Sequence, residues 1–350
     1  MDMALYDPEF GYYARAAQRS GRTGDFFTSV DVGPIFGELL ARQIGEMAGL
    51  LGPIAGFDLV EAGAGNGRLS ADILAAIAAC DPSLLQRLRL HLVEASPRAR
   101  EAQAATLGIH AGRLVSSSGE LPRQYEGVLL ANELLDAMPV HQVVMRESGL
   151  LETYVVEQAG RLVARDGPLS SPALAQYLAA LEVELEPGWR VEINLRARDW
   201  IAEAARRLTR GFVILIDYGH PARTLYSASH SGGTLTSFRR HTTTEEAGHA
   251  GPAWLAHPGE QDITAHVDFT TLARVAEAAG LTTLGFMDQT YFLMGLLERL
   301  GERELSDVER RGAKTLIMPG GLGSTFKVMI FAKGVSAPAL LGGSFGARVT

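Results

Sequence analysis

The chain has one cysteine, Cys80, and only three lysines among its 350 residues. A single cysteine excludes a disulfide within the chain and a metal or redox site built on a Cys-x-x-Cys pair. It is typical of a reducing compartment, so we expect a cytoplasmic protein. The sequence also lacks an apolar run of about 18–20 residues, which a membrane-spanning helix needs, so it predicts no membrane span.

Positive charge is scarce, and the net charge is −8 at pH 7. This balance argues against non-specific binding to nucleic acid. The nine histidines do not show the spacing of a metal site such as H-x-x-x-H or H-E-x-x-H. Four of them are scattered in predicted loops, namely His241, His249, His257 and His266. The sequence therefore predicts no metal site.

Apolar strands alternate with amphipathic helices over the first two thirds of the chain. The expected strands are 57–61, 89–94, 113–116, 127–132 and 212–217, and the expected helices include 67–79, 97–107 and 197–209. Such alternation predicts an α/β protein with a parallel sheet. Two more strand-like runs follow, at 282–293 and 325–333. If the last strand is inserted antiparallel, the result is the seven-stranded sheet of class I methyltransferases, although spacing alone leaves the strand order open.

The chain divides into three predicted regions. Residues 1–33 lack periodicity and predict an N-terminal arm. Residues 34–333 form the predicted main domain, with insertions at about 143–190 and 221–262. The Gly/Ser/Ala-rich residues 334–350 predict a flexible tail.

The most informative segment lies between Phe57 and Ser70. An apolar strand ends at Glu61, and glycines follow at alternate positions before a helix begins. The pattern is G-x-G-x-G, which departs from the dinucleotide fingerprint G-x-G-x-x-G. A carboxylate at the strand end repels a pyrophosphate but attracts an ammonium group, and S-adenosylmethionine (SAM) carries an ammonium group and no phosphate. We expect the methionine part of SAM to be bound by Glu61, Gly63, Ala64, Gly65 and Gly67.

Two further residues are candidates for the adenosine part. Glu94 ends the second strand, where a carboxylate can accept both ribose hydroxyls; the alternative is a solvated turn acid. Gly119, in the turn after the third strand, is expected near the adenine, and a plain turn explains it equally well.

The segment Ala131–Gln142 follows the fourth strand, so we expect it to face the transferred methyl group. Glu133 and Asp136 share a face if the segment is helical, and two carboxylates suit a guanidinium, which takes planar bidentate acceptors. Asn132 would contact both cofactor and substrate. Alternatively, Asp136 caps the next helix and Glu133 is a turn residue. His141 is a candidate general base, but a structural role is favoured.

Several segments resemble the MidA-like family of SAM-dependent methyltransferases, whose mitochondrial members assist assembly of respiratory complex I. The similar segments are 5–13, 24–29, 36–39, 61–74, 131–142, 217–219 and 259–269. The resemblance runs from about residue 5 to 333. Where the family often has Pro, Arg and Thr, this chain has Ala64, Asn66 and Arg68. The glycines and the acid of the loop are retained.

The resemblance implies a seven-stranded methyltransferase core, SAM as cofactor with S-adenosylhomocysteine as product, and a protein arginine side chain as substrate. It also implies that residues 24–29, including Thr28, close over SAM, and that Asn132, Glu133 and Asp136 face the substrate. We therefore expect a protein arginine N-methyltransferase acting on a respiratory-complex subunit. The alternatives are a SAM-binding assembly chaperone with little turnover and a nicotinamide-dependent oxidoreductase, which the loop disfavours. The sequence leaves open whether the protein is a homodimer.

Overall fold

The structure is a computed structural model that describes residues 1–14, 28–239, 242–243, 251–298, 305–336 and 339–344. The strands are β1 Phe57–Ala62, β2 Leu88–Val93, β3 Leu114–Ser118, β4 Tyr125–Asn132, β5 His141–Arg146, β6 Gly149–Gln158, β7 Arg161–Gly167, β8 Arg190–Ile193, β9 Leu208–His220, β10 Thr236–Arg239, β11 Thr242–Thr243, β12 Asp262–Thr264, β13 Val267–Asp268, β14 Thr282–Asp288 and β15 Phe326–Lys333. The α-helices are α1 Asp2–Tyr6, α2 Ile35–Leu51, α3 Arg68–Cys80, α4 Pro82–Arg87, α5 Pro97–Leu107, α6 Pro172–Leu181, α7 Leu195–Arg207, α8 Ala222–Leu225, α9 Phe269–Ala278, α10 Gln289–Glu298, α11 Asp307–Ile317 and α12 Leu322–Thr325.

The central sheet has the strand order β14-β15-β9-β4-β1-β2-β3. Strands β3, β2, β1, β4 and β9 run parallel to their neighbours. The last strand, β15, lies antiparallel between β9 and β14. This arrangement confirms the predicted seven-stranded methyltransferase sheet, and the short strand β13 extends it by pairing with the end of β9.

Both faces of the sheet are covered, which explains why its strands are continuously apolar. Along β4, Val128 and Leu130 pack into one core with α2 and α3. Leu129 and Ala131 point to the opposite face and pack into a second core with α7 and α9. The parallel pairing of β1 with β2 and β4 brings the carboxyl ends of these strands to one edge of the sheet.

One predicted strand is partly wrong. The run 282–293 was expected to be extended, but β14 ends at Asp288 and α10 begins at Gln289. Short apolar runs do not distinguish a buried helix from a strand. Here Phe292, Leu293 and Leu296 are fully buried on one side of a helix, and the Gln289 side chain donates to the Leu316 carbonyl at 3.1 Å.

The first predicted insertion is a small sheet of its own, with the order β7-β6-β5-β8. It packs against α6 and α8 through a separate apolar cluster. The described part of the second predicted insertion contains α8 and a three-stranded sheet, β11-β10-β12. Its residues 240–241 and 244–250 lie outside the described residues.

Short stretches at the two ends of the chain are docked on the domain. In the arm, Leu5 and Tyr12 are buried beside Ile263, while residues 15–27 lie outside the described part. At the other end, the Leu341 amide donates to Glu46 Oε2 and the Gly342 amide to Gln43 Oε1, both at 2.9 Å. These two residues of the predicted flexible tail are therefore bonded to α2, while its residues 337–338 and 345–350 lie outside the described part of the chain. Within the described chain, every helix is too short or too polar to cross a membrane.

Glycine at position 127 allows β4 to approach β1. Its φ is 147°, and a Cβ there would lie 2.1 Å from the Asp58 carbonyl oxygen. We expect Gly127→Ala to lower the free energy of unfolding by about 3 kcal/mol, because a backbone clash adds to an unfavourable φ. Gly45→Ala is the matched control: it lies within α2 with open space around it, and should raise stability by about 0.5–1 kcal/mol. Urea denaturation of both variants tests this, and equal effects would contradict it.

Candidate active site

The loop after β1 needs its glycines for conformation and for space. Gly63, Gly65 and Gly67 have φ values of 74°, 50° and 85°, which residues with a side chain rarely adopt. A Cβ at Gly63 would also lie 3.2 Å from Leu134 Cδ1, and one at Gly67 3.2 Å from Leu92 Cδ1. The loop therefore lies close against its neighbours, with its backbone amides at the edge of the sheet.

Glu61 is the acid at the end of β1, and its side chain is buried. The Ser70 hydroxyl of α3 donates to its Oε2. Among the described residues no basic side chain forms a salt bridge with it. Burial raises the pKa of Glu61 to about 7, and the Ser70 hydrogen bond opposes that rise. A cationic ligand group beside Glu61 would favour its ionised form.

Glu94 follows β2 and ties the glycine loop to that strand. Its Oε2 accepts the Gly65 amide at 2.8 Å, and its Oε1 accepts the Ser96 amide at 2.7 Å. The acid is therefore held by backbone donors, unlike the solvated turn acid considered from the sequence.

The segment after β4 forms a turn rather than a helix. The Glu133 amide donates to the Ile216 carbonyl at 2.8 Å, and Asp217 Oδ2 accepts the Leu134 and Leu135 amides at 3.2 and 2.8 Å. These bonds to β9 replace the bonds within a helix, and Glu133 has a φ of 54°. The expectations of a shared helical face and of a helix capped by Asp136 are both wrong.

Three carboxyl groups meet at this turn. The pKa of Glu133 is raised to about 8, first by burial and then by the charge of Asp136. Burial also raises the pKa of Asp136 to about 6, against a hydrogen bond from Tyr218. The pKa of Asp217 is raised well above its usual value by burial and by Asp136. The turn thus concentrates carboxyl groups that a cation would stabilise.

Asn132 and the arm complete this side of the site. Asn132 Nδ2 donates to Glu133 Oε1 at 3.1 Å, and the Ser29 amide lies 3.4 Å from the same oxygen. Asn132 Oδ1 is buried and has no hydrogen-bond partner among the described residues. It is an acceptor available to a ligand.

A cavity of about 740 Å³ lies between the glycine loop and this turn. Most of the residues predicted from the sequence line it: Thr28, Glu61, Gly63, Ala64, Gly65, Glu94, Gly119, Asn132 and Glu133. Its size is within the range of small-molecule sites. The buried Glu61 and the unpartnered Asn132 Oδ1 fit a ligand with an ammonium group, as in SAM.

Three predicted residues do not line the cavity. Gly67 lies behind the loop as the N-cap of α3. Asp136 lies beneath the turn, where the Tyr218 hydroxyl hydrogen-bonds to it. His141 is in β5, with its Nδ1 2.7 Å from Glu152 Oε1, so the structure does not bring it to the site.

The cavity also has lining residues that the sequence analysis did not single out: Tyr6, Tyr13, Arg196, Asp199 and Trp200. Tyr6 donates to the Ala137 carbonyl at 3.0 Å and Tyr13 to Asp262 Oδ1 at 2.9 Å. The two tyrosines belong to the first segment of the family resemblance, which was a usable signal. Arg196, Asp199 and Trp200 lie on α7. The position of this helix depends on how the chain crosses the sheet, which the sequence pattern does not show.

Comparison with known proteins shows which family the chain belongs to. A family profile for S-adenosyl-L-methionine-dependent methyltransferases matches residues 39–287. The chain belongs to this methyltransferase family. The Drosophila melanogaster "Protein arginine methyltransferase NDUFAF7 homolog, mitochondrial" is 27% identical over 97% of this chain and 82% of its own length. The Rattus norvegicus "Protein arginine methyltransferase NDUFAF7, mitochondrial" is 30% identical over 93% of this chain and 78% of its own length.

A solved structure is similar to this chain over nearly the whole length of the chain. It is a protein from Burkholderia thailandensis bound to S-adenosyl-homocysteine, with a TM-score of 0.87 and 32% identity, and the match covers 99% of this chain and 89% of that one. The methyltransferase therefore depends on SAM, and the nicotinamide alternative is wrong. The prediction of a cytoplasmic location is contradicted, because the Drosophila and Rattus relatives are designated mitochondrial.

The raised pKa of Glu61 predicts a pH dependence of stability in the ligand-free methyltransferase. Between about pH 4.5 and pH 7 the folded state retains a proton that the unfolded chain has lost, so the free energy of unfolding falls as pH rises. Glu61→Gln removes this contribution while leaving an acceptor for Ser70. We expect the loss of stability between about pH 5 and pH 8 to be smaller in the variant by about 3 kcal/mol at most.

Denaturation at the two pH values measures this difference. Glu101→Gln, on the exposed face of α5, is the control and should follow the wild type. Identical pH slopes for wild type and Glu61→Gln would contradict the buried, proton-binding state of Glu61.

Proposed function

We propose that the chain is a protein arginine N-methyltransferase whose substrate is a subunit of a respiratory complex. The observation that carries the arginine assignment is the carboxyl cluster of Glu133, Asp136 and Asp217 next to the cavity. Paired carboxylates suit a guanidinium, which is cationic at neutral pH. The names of the Drosophila and Rattus relatives support the same assignment.

On the cofactor side, we assign the methionine part of SAM to Glu61 and the glycine loop. Glu94 takes the ribose hydroxyls if one of its oxygens turns away from the backbone amides, and Gly119 lies beside the adenine. Thr28 adds a contact from the arm, and the arm closes over the cofactor. The positions of these residues around one cavity support the assignment. When bound, SAM supplies an electrophilic methyl group.

On the substrate side, we assign the guanidinium to Glu133, oriented by Asn132. Methyl transfer breaks the bond between sulfur and the methyl carbon and forms a bond from a guanidinium nitrogen to that carbon, and one N–H proton must leave. We assign that proton to Glu133: burial raises its pKa to about 8, and a bound guanidinium would favour the ionised carboxylate that accepts the proton. Asp136 is a positioning residue, because it contacts Tyr218 beneath the turn. We assign no catalytic role to His141.

Methylation assays test the assignment. Labelled SAM is incubated with the protein and with an extract of a strain deleted for its gene, and the labelled band is identified by mass spectrometry. We expect ω-methylarginine in a respiratory subunit. Glu133→Gln should lower the labelling rate by about 10²-fold or more, because guanidinium positioning and proton acceptance are both lost. Its affinity for SAM should change little, whereas Glu61→Ala should lose SAM binding.

Glu101→Gln is again the control and should label its substrate at the wild-type rate. Label on lysine or on a small molecule would overturn the arginine assignment. Co-purification of a respiratory subunit that carries no label, with SAM binding intact, would favour the assembly chaperone instead.

A further inference from the structure

Three histidines from distant parts of the sequence meet near the end of β9. His220 is the last residue of β9, His230 ends the 3₁₀ turn Ala228–His230, and His266 precedes β13. One ring nitrogen from each lies within 4.8 Å of the other two. None of the three lines the 740 Å³ cavity, so the cluster is separate from the methyl-transfer site.

Backbone pairing and hydrogen bonds bring these three histidines together. Strand β13 pairs in parallel with the end of β9, with Val267 opposite Gly219 and Asp268 opposite His220, which places His266 beside His220. The His266 amide donates to Thr234 Oγ1 at 3.0 Å, and the His230 amide donates to the Ser227 carbonyl at 2.9 Å. The ring centroids are 4.9 Å apart for His220 and His230 and 5.4 Å apart for His220 and His266.

Two of the three rings have a nitrogen that is available as a metal ligand. His230 Nδ1 lies 3.0 Å from the Thr224 carbonyl. A carbonyl only accepts, so Nδ1 donates its proton there, which leaves Nε2 as the ring nitrogen that can bind a metal. His266 Nδ1 is buried without a hydrogen-bond partner among the described residues.

We propose that His220, His230 and His266 together bind one divalent metal ion of the zinc type. Three imidazoles are a ligand set that Zn²⁺ favours, with Zn–N bonds of about 2.0–2.1 Å and hence nitrogens about 3.3 Å apart. Binding requires the present spacing, within 4.8 Å, to contract to that value. The nearby cation, Lys327, does not prevent binding, because it forms a buried salt bridge of 2.6 Å with Asp288.

The metal would add a further link between three segments that backbone pairing and hydrogen bonds already bring together. It connects β9, the loop after α8 and the residues that lead into α9, and leaves a fourth tetrahedral position for water. The site also adjoins the turn after β4, because the His266 ring contacts Tyr218 at a centroid distance of 5.4 Å and Tyr218 hydrogen-bonds to Asp136. Metal binding should therefore stabilise the folded protein.

Calorimetric titration with Zn²⁺ tests the site in the full, untagged chain. The background is Cys80→Ser, because Cys80 is an exposed thiol that could bind metal itself. We expect one equivalent of Zn²⁺ per chain, visible absorption of tetrahedral Co²⁺ on substitution, and a higher melting temperature with metal. His266→Ala and His230→Ala should each weaken Zn²⁺ binding by about 10²-fold or more. His110→Ala, outside the cluster, should bind as the background does.

SAM binding by each variant shows that it has folded. His230→Ala is the safer variant, because His230 lies in a surface turn whereas His266 is more deeply buried. The proposal is overturned if the background chain takes up no Zn²⁺ at micromolar concentration. It is equally overturned if folded His230→Ala and His266→Ala bind Zn²⁺ with unchanged affinity.

Discussion

The burial of carboxyl groups at one edge of the sheet is the constraint on which the site depends. Glu61, Glu133, Asp136 and Asp217 all have pKa values raised chiefly by burial. They meet because β1, β4 and β9 are parallel neighbours, so their carboxyl ends lie at the same edge. A site of this kind favours cations, since a positive group offsets both desolvation and mutual repulsion. An ammonium, a sulfonium and a guanidinium all meet that condition, whereas a pyrophosphate does not.

Backbone donors, rather than counter-ions, hold this arrangement in place. Asp217 accepts the amides of Leu134 and Leu135 and so fixes the turn that carries Glu133. Glu94 does the same for the glycine loop by accepting the Gly65 amide. Hydrogen bonds to an ionised carboxylate lower its pKa and thus oppose the effect of burial. Glu94 and Asp217 are therefore engaged by the backbone donors of the loop and the turn, while Glu61 and Glu133 line the cavity, where a cationic ligand can reach them.

The sequence could predict the features that local patterns determine. The strand, glycine loop and helix between Phe57 and Cys80 were predicted to within about one residue, because apolar runs and glycine spacing are local signals. The turn at Glu133 could not be predicted in this way, because the Glu133 amide donates to the carbonyl of Ile216, which lies far along the chain. The helix that begins at Gln289 and the cavity-lining residues on α7 could not be predicted for the same reason, because both depend on contacts between distant parts of the chain. The histidine cluster likewise depends on the pairing of β13 with β9, for which the spacing of the histidines gives no signal.

Elements outside the seven-stranded sheet form one side of the cavity. Tyr6 of the arm bonds to the Ala137 carbonyl, Asn194 Nδ2 donates to the Leu135 carbonyl at 3.0 Å, and Trp200 lines the wall. All three act on or beside the turn after β4, so the arm and α7 support the proposed substrate-facing residues. The glycine loop, by contrast, is braced from within the sheet by β2. The proposed cofactor and substrate halves of the site thus depend on different parts of the chain.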